Sequence, residues 1–342
     1  ITGLSAGTLL LGNGDILGAS GIAKSLIQTP KQILFESSSS QKWKLPFLSS
    51  FLLTSIIYMK IFPKYLITAE TIHSPVVSTL GFAFSGFLVG FGTTLGNGCT
   101  SGHGICGLAR RSFRSLVAVV TFMMTGALTS SICGPDCFLA SCLRTTKDSL
   151  PDLYPTDTSR MVGYILTASC IVASVVAYYD TFMSSPTKTT TTTTAICSAV
   201  LFSVGLARSG MIENKHIVGF LDMKGFVRGS WDPTLLFVMG GGLLVSLISY
   251  ELVPGYSLMM KDCTGFYCPL SQDQGGKFNV PTNRTIDSKL VFGALLFGLG
   301  WGIGGLCPGP ALFLAANGYP TVLYQWWPAF AAGSTFASYL GK

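Results

Sequence analysis

The sequence predicts an all-α integral membrane protein, built as two pseudo-symmetric, inverted helical repeats whose short broken helices meet at a central passage. The first observation is charge, because only 11% of the 342 residues are charged, against about 25% in soluble domains. The second is hydropathy: the mean hydropathy is +0.53, and apolar runs of membrane length recur along the chain. The third is the 40 glycines, since glycine lets membrane helices approach closely.

Apolar segments with the length of membrane helices follow one another along the chain. A helix needs roughly 20 apolar residues to cross about 30 Å of hydrocarbon, and these segments lack the alternation of membrane strands. The sequence therefore predicts eight or nine crossings plus short helical pieces. In chain order the predicted spans are 1–22, 45–62, 76–96, 115–133, 161–179, 195–211, 233–253, 290–306 and 321–341, with a short piece at 311–318.

Two halves of the chain share a pattern of small residues. The first membrane repeat is predicted at 1–183 and the second at 195–342, joined by a flexible threonine-rich linker at 184–194. Internal duplication of this kind is frequent in transport proteins, where the solute site lies between the repeats. The matched pattern, at a shift of 208 residues, pairs Gly90, Gly92, Gly96 and Cys99 with Gly298, Gly300, Gly304 and Cys307.

Basic residues are unevenly divided between the two predicted faces of the membrane. Segments 24–44, 110–114, 184–194 and 254–289 fall on one face and carry more Lys and Arg than the loops of the other face. The positive-inside tendency assigns the richer face to the cytoplasm or the matrix. The net charge of +7 is thinly spread, which excludes a nucleic-acid-binding face.

Two glycine-rich stretches predict breaks in otherwise apolar helices. Residues 96–104 contain four glycines, and residues 302–310 combine glycines with two prolines, so neither stretch holds a regular helix. Broken backbone at membrane depth survives only where it is buried in protein or lines a wet cavity. The helix N-termini at such breaks attract anions.

The same stretches carry a resemblance to a known family. Gly-Asn-Gly-Cys-Thr-Ser-Gly-His-Gly at 96–104, with Cys-Gly-Leu-Ala-Arg at 106–110, resembles the YeeE/YedE-type sulfur transport family. Gly-Leu-Cys-Pro-Gly-Pro-Ala at 305–311 resembles it too, and residues 205–242 are similar to its second half. The similarity covers nearly the whole chain, so both halves are fused in one polypeptide.

The resemblance implies a multi-pass permease for thiosulfate or a related small sulfur anion. Family members pass the anion along a cysteine-lined central path, and the motif cysteines correspond to Cys99 and Cys307, with Cys106 in the matching stretch. A further functional cysteine of the family pattern has no counterpart, because no cysteine precedes Cys99. The resemblance favours a bacterial-type inner membrane; a mitochondrial inner membrane is the alternative.

Thiol chemistry agrees with a sulfur anion as the substrate. A thiol is soft and polarisable, and weak contacts at several sites suit conduction. His103 is predicted either to contact the anion or to pin the broken loop by a hydrogen bond, and Asn97 and Ser101 to satisfy freed backbone groups. The predicted substrate-path residues are Cys99, Cys307, Cys106, His103, Asn97, Ser101, Gly98 and Gly305.

Other readings of the sequence remain open beside the permease. One is a structural subunit of a larger membrane assembly that keeps a transporter fold; another is a persulfide carrier that hands sulfur to a soluble protein. No catalytic residue, cofactor or metal site is predicted. Cys170 and Cys197 are predicted to be packing residues, and Cys263 and Cys268 are a candidate disulfide. No histidine or second Cys-X-X-Cys motif accompanies the remaining three to support a zinc site: Cys133, Cys137 and Cys142.

Overall fold

A computed structural model describes residues 1–29, 43–63, 76–132, 144–145, 155–182, 186–253, 278–281 and 283–340. In these ranges the regular structure is helical, apart from one antiparallel pair of two-residue strands, β1 (Val76–Val77) and β2 (Arg144–Thr145). Among the residues described, five helices are long and apolar enough to cross a membrane, and counting two bent helix pairs as single spans raises the number to seven. The predicted all-α membrane class is therefore confirmed.

The helices divide into two sets in chain order. The first set is α1 (Thr2–Asn13), α2 (Ala19–Gln28), α3 (Lys44–Ile61), α4 (Thr79–Leu95), a π-helical segment at Thr100–Gly107, α5 (Phe113–Ile132) and α6 (Asp157–Phe182). The second set is α7 (Pro186–Arg208), α8 (Asn214–Leu221), α9 (Lys224–Arg228), α10 (Thr234–Glu251), α11 (Ser288–Gly304), α12 (Pro308–Ala316), a π-helical segment at Thr321–Trp326 and α13 (Trp327–Leu340).

The predicted single span at 1–22 is wrong, because two short helices occupy this part of the chain. Gly14 takes the left-handed conformation (φ 75°) after α1 and donates its N–H to the Leu10 carbonyl, which ends the helix. Four further residues pass before α2 begins at Ala19. The first apolar stretch therefore forms two short helices separated by a break at 14–18.

The threonine-rich stretch at 184–194 differs from its prediction as a flexible linker. From Pro186 onward it is helical and forms the first turns of α7. Thr194 donates its hydroxyl to the carbonyl of Thr190 at 2.8 Å, so the side chain adds a bond within the helix. Its methyl group also lies against Gly12, where a β-carbon would approach it to 2.0 Å. Packing against α1 therefore outweighs the weak helix propensity of threonine.

Glycines bring the backbones of four central helices into direct contact. A β-carbon at Gly90 of α4 would lie 2.1 Å from the Phe330 carbonyl oxygen of α13. One at Gly92 would lie 2.4 Å from the backbone nitrogen of Phe297 in α11, and one at Gly298 would lie 2.6 Å from the carbonyl oxygen of Phe122 in α5. Small residues at these crossings replace the side-chain layer that usually separates helices.

The order of these contacts gives the helix directions. Gly86 meets Trp326 and Gly90 meets Phe330, so α4 and α13 run in parallel. Gly92 meets Phe297 of α11, whereas the earlier residues Ser85 and Leu88 of α4 meet the later residues Gly300 and Gly304, so α4 and α11 run in opposite directions. Opposed α4 and α11 are what inverted repeats require, and the repeat itself stays a prediction.

Polar contacts at one end of the bundle define a face that we call the arginine face. Arg111 pairs with Glu251, Arg114 pairs with Asp287 at 3.0 Å, and Arg110 donates to the carbonyl of Pro281 at 2.6 Å. Residues 110–114 and the described part of 254–289 therefore share one face, as the charge pattern predicts. The opposite end carries the connection between α8 and α10.

We predict that Gly90→Ala lowers the free energy of unfolding by about 2 kcal/mol, because the added methyl group has no room against the Phe330 backbone. Thermal unfolding of the purified protein in detergent measures this. Gly240→Ala on α10 is the control, since a β-carbon there meets no atom within 4 Å, and we expect an unchanged or slightly raised midpoint. Equal midpoints for the two variants would contradict the close helix crossing.

Candidate functional site

The first helix break follows α4 and ends at a cysteine. Asn97 adopts the left-handed conformation at φ 56°, which asparagine tolerates better than most residues. Cys99 is extended (φ −131°, ψ −167°) and immediately precedes the π-helical segment Thr100–Gly107. The two helical pieces meet at an angle of 45°. Frequent glycine explains the loose winding, because it weakens an α-helix.

The second break follows α11 and is built in a similar way. Gly305 ends the helix in the left-handed conformation (φ 60°) and donates its N–H to the Trp301 carbonyl. Cys307 is again extended, and Pro308 begins α12, where proline fits the first helical position. The two helices meet at 44°. Each break therefore places a cysteine directly before a new helical segment.

Cys99 and Cys307 line the same cavity, which we call the cysteine cavity. It has a volume of about 50 Å³, which holds a few water molecules. Its walls are mainly apolar and include Met239, Leu235 and Trp301. The Trp301 side chain is fully buried.

Two hydroxyl groups hold the thiols in the cysteine cavity. The Ser101 Oγ accepts a hydrogen bond from the backbone N–H of Ala19 at 3.2 Å and lies 3.2 Å from the Cys99 Sγ. The neighbouring Thr100 Oγ1 lies 3.7 Å from the Cys307 Sγ. One short stretch of the first break thus contacts both cysteines and the start of α2.

Cys106 and Gly305, two of the predicted path residues, line neither this cavity nor the second cavity on the other side of the first break. The Cys106 thiol is buried and donates to the Leu17 carbonyl at 3.6 Å, so it ties the turn before α2 to the π-helical segment. Gly305 lies under α8, where a β-carbon would come within 2.8 Å of the Asn214 carbonyl oxygen. Both residues therefore pack against segments next to the breaks and do not line a cavity.

A second cavity, which we call the polar chamber, lies on the other side of the first break. Its volume is about 140 Å³, and its lining includes Asn97, Gly98, His103, Lys24 and Arg110. Lys24 and Arg110 were not among the predicted path residues. Their sequence signal was only their place among the basic residues of one face, since nothing local links two residues so far apart in the chain.

His103 pins the first break through both ring nitrogens. Its Nε2 lies 3.1 Å from the Gly96 carbonyl oxygen, and because a carbonyl only accepts, Nε2 is the donor. Its Nδ1, 3.1 Å from the Ser115 hydroxyl, is then the acceptor. The ring edge also faces the polar chamber. The structure therefore gives His103 the loop-holding bonds expected from the sequence and a place beside the chamber.

A histidine–aspartate pair closes the loop between α8 and α10, whose residues Ile217 and Leu235 line the cysteine cavity. The His216 Nδ1 lies 2.5 Å from Asp232 Oδ2, and the Thr234 N–H donates to Asp232 Oδ1 at 2.9 Å. Burial raises the pKa of the Asp232 carboxyl, but the hydrogen bonds from Thr234 and His216 outweigh it and leave that pKa below its usual 3.8.

The remaining cysteines add no metal or disulfide site in the described ranges. Cys170 and Cys197 are free thiols, as are the three cysteines of the motifs. No group of three or more His, Cys, Asp or Glu side chains clusters among the residues that the structure describes. Cys133, Cys137, Cys142, Cys263 and Cys268 lie outside these residues.

Comparison with known proteins links the chain to membrane transport. Residues 2–129 match a family described as sulphur transport, and residues 191–337 match a family of unknown function (DUF6691). A probable transporter of Xylella fastidiosa strain Temecula1 is 37% identical over 131 residues, which cover 38% of this chain and 78% of the relative. Another, from strain 9a5c, is 37% identical over 142 residues, covering 41% and 85%.

We predict that Asp232→Asn destabilises the protein by about 1 kcal/mol at neutral pH, because the charged acceptor of three hydrogen bonds is lost. The pKa of Asp232 is lower in the folded protein, so its stabilising effect is complete above the unfolded pKa and disappears as the pH falls through the folded one. The thermal midpoints of wild type and variant should therefore converge below about pH 4.

Asp157→Asn at the exposed start of α6 is the control for this pH series. It removes the same charge without removing the contact to His216. A gap between wild type and Asp232→Asn that stays constant from about pH 7 to pH 3 would contradict stabilisation by the ionised Asp232 carboxylate.

Proposed function

This chain belongs to the YeeE/YedE-type sulphur transport family, and from that starting point we propose that it is a permease for thiosulfate or a related small sulfur anion. Family membership and the membrane-length helices make it an integral multi-pass transporter of a sulfur-containing anion. The finer proposal concerns the path, which we assign to Cys99 and Cys307 in the cysteine cavity.

The observation that carries this proposal is the meeting of two thiols from two separate helix breaks in one cavity. A thiol is a weak donor with a polarisable sulfur, so it interacts with the terminal sulfur of thiosulfate without holding it tightly. The apolar walls remove competing water and favour a soft contact over a hydrated oxygen. Weak successive contacts suit passage better than one strong site does.

The two cavities are separated by a wall in which adjacent residues of the chain line opposite sides, and the path has to cross it. Gly98 lines the polar chamber and Cys99 the cysteine cavity. In the same way Gly18 and Ala19 face opposite cavities, as do Gly102 and Ser101. The hydrogen bond from Ala19 to Ser101 closes this wall. Passage of an anion therefore requires α2 to separate from Ser101.

Burial of the Cys99 thiol favours passage over sulfur hand-off. Cys99 is 1% exposed, and a soluble acceptor protein has no access to its sulfur in this arrangement. A persulfide carrier needs a reachable thiolate. Mass spectrometry of the isolated protein distinguishes the two functions, since a carrier retains one additional sulfur atom on a cysteine.

We predict that Cys99→Ala or Cys307→Ala severely reduces uptake of radiolabelled thiosulfate by vesicles containing the protein. The loss of stability should be small, on the order of 1 kcal/mol, because one sulfur atom is removed. Cys→Ser at the same positions separates softness from hydrogen bonding. If the soft sulfur is what the anion needs, serine is nearly as inactive as alanine.

Cys170→Ala is the matched control, because Cys170 lies on α6 outside both cavities. It should transport like the wild type at equal protein level. Equal loss of uptake in the Cys170 and Cys99 variants would contradict a thiol-guided path, as would full uptake by Cys99→Ala.

A further inference from the structure

The open space of the polar chamber is created by three glycines. Gly18, Gly21 and Gly102 all line it, and a β-carbon on any of them would meet no atom within 4 Å. None of the three has a positive φ, so backbone conformation does not require glycine at these positions. Their missing side chains leave the chamber nearly three times the volume of the cysteine cavity.

The charged side chains of the chamber are all positive. Lys24 is half-buried and has no ion pair or hydrogen bond among the described residues. Arg110 uses one terminal nitrogen for the Pro281 carbonyl, while its buried Nε–H lacks an acceptor in the described chain. No described residue that lines the chamber is acidic. Two cations beside one pocket therefore have no internal counter-charge there.

The start of α2 adds to the positive potential. Ser20 and Gly21 in its first turn line the chamber, and the N-terminal end of a helix favours anions. The polar atoms of Asn97 complete the lining. In contrast, the cysteine cavity has no cationic side chain among its lining residues.

We propose that the polar chamber is a second anion site, which binds a small dianionic oxyanion by charge, with Lys24 and Arg110 as its cationic ligands. The inference rests on the proposed function in that the same anion goes on to the cysteine cavity. The chamber accepts the anion with part of its water shell and does not distinguish sulfur from oxygen. Selection of the soft terminal sulfur over oxygen takes place at Cys99, the residue that follows Gly98 of the chamber lining.

The test uses sulfate as the probe, because sulfate has the charge of thiosulfate but no soft terminal sulfur. Binding of radiolabelled sulfate is measured on the purified full chain in detergent. We expect Lys24→Gln to weaken binding at least about tenfold, since a charge-assisted contact is lost. Lys289→Gln removes the same charge from an exposed position at the start of α11 and should bind as the wild type does.

Gly21→Leu provides a second variant that keeps every charge. Leucine favours the helix more than glycine does and fills space that is empty, so the protein should fold while the chamber is blocked. Loss of sulfate binding in Gly21→Leu and Lys24→Gln, with binding retained in Cys99→Ser, supports the chamber as a separate site. Absence of binding by the wild type, or equal binding by Lys24→Gln, overturns it.

The sulfate-binding test and the thiosulfate-uptake test have independent outcomes. If vesicles take up no thiosulfate but sulfate binding still depends on Lys24, the proposed function is wrong and the chamber stands. If uptake depends on Cys99 while sulfate binding is indifferent to Lys24, the chamber is wrong and the permease stands.

Discussion

The structure depends on one constraint: a helix that breaks inside a membrane protein leaves backbone groups that no water satisfies. Each break therefore needs partners from elsewhere in the fold. The Gly96 carbonyl accepts a hydrogen bond from the His103 ring, and the Leu17 carbonyl accepts one from the Cys106 thiol. The N–H of Ala19 donates a hydrogen bond to the Ser101 hydroxyl. The side chains around the cavities thus form hydrogen bonds to backbone groups. The cavities are the space between the segments that these hydrogen bonds hold in place.

Close contact between helix backbones makes such bonding possible. Ser85 on α4 reaches the Gly300 carbonyl at 2.8 Å because glycines on α11 let the two helices approach. Larger residues at these crossings would move the breaks apart and separate Cys99 from Cys307. The glycines that let the helices approach therefore also keep Cys99 and Cys307 together in the cysteine cavity.

Short-range rules predict part of this arrangement from the sequence. The breaks at 96–104 and 302–310 follow from glycine and proline, and the cysteines beside them follow from position. Long-range packing decides the rest. The end of α1 at Gly14 is not evident from the sequence because apolar residues continue on both sides of it, and the helical threonines of α7 pack against Gly12 of a distant helix. Lys24 and Arg110 meet only through the tertiary fold, so no local pattern pairs them.

The wall between the two cavities has an electrical consequence. If both cavities open to water during transport, nearly the whole membrane voltage falls across the wall between them. A dianion that moves past the contact between Ala19 and Ser101 then crosses most of the field within a few ångströms, at about 4.6 kcal/mol for each 100 mV. Under that condition the short step between Gly98 and Cys99 is where the membrane potential acts on the anion, although it is a small fraction of the distance travelled.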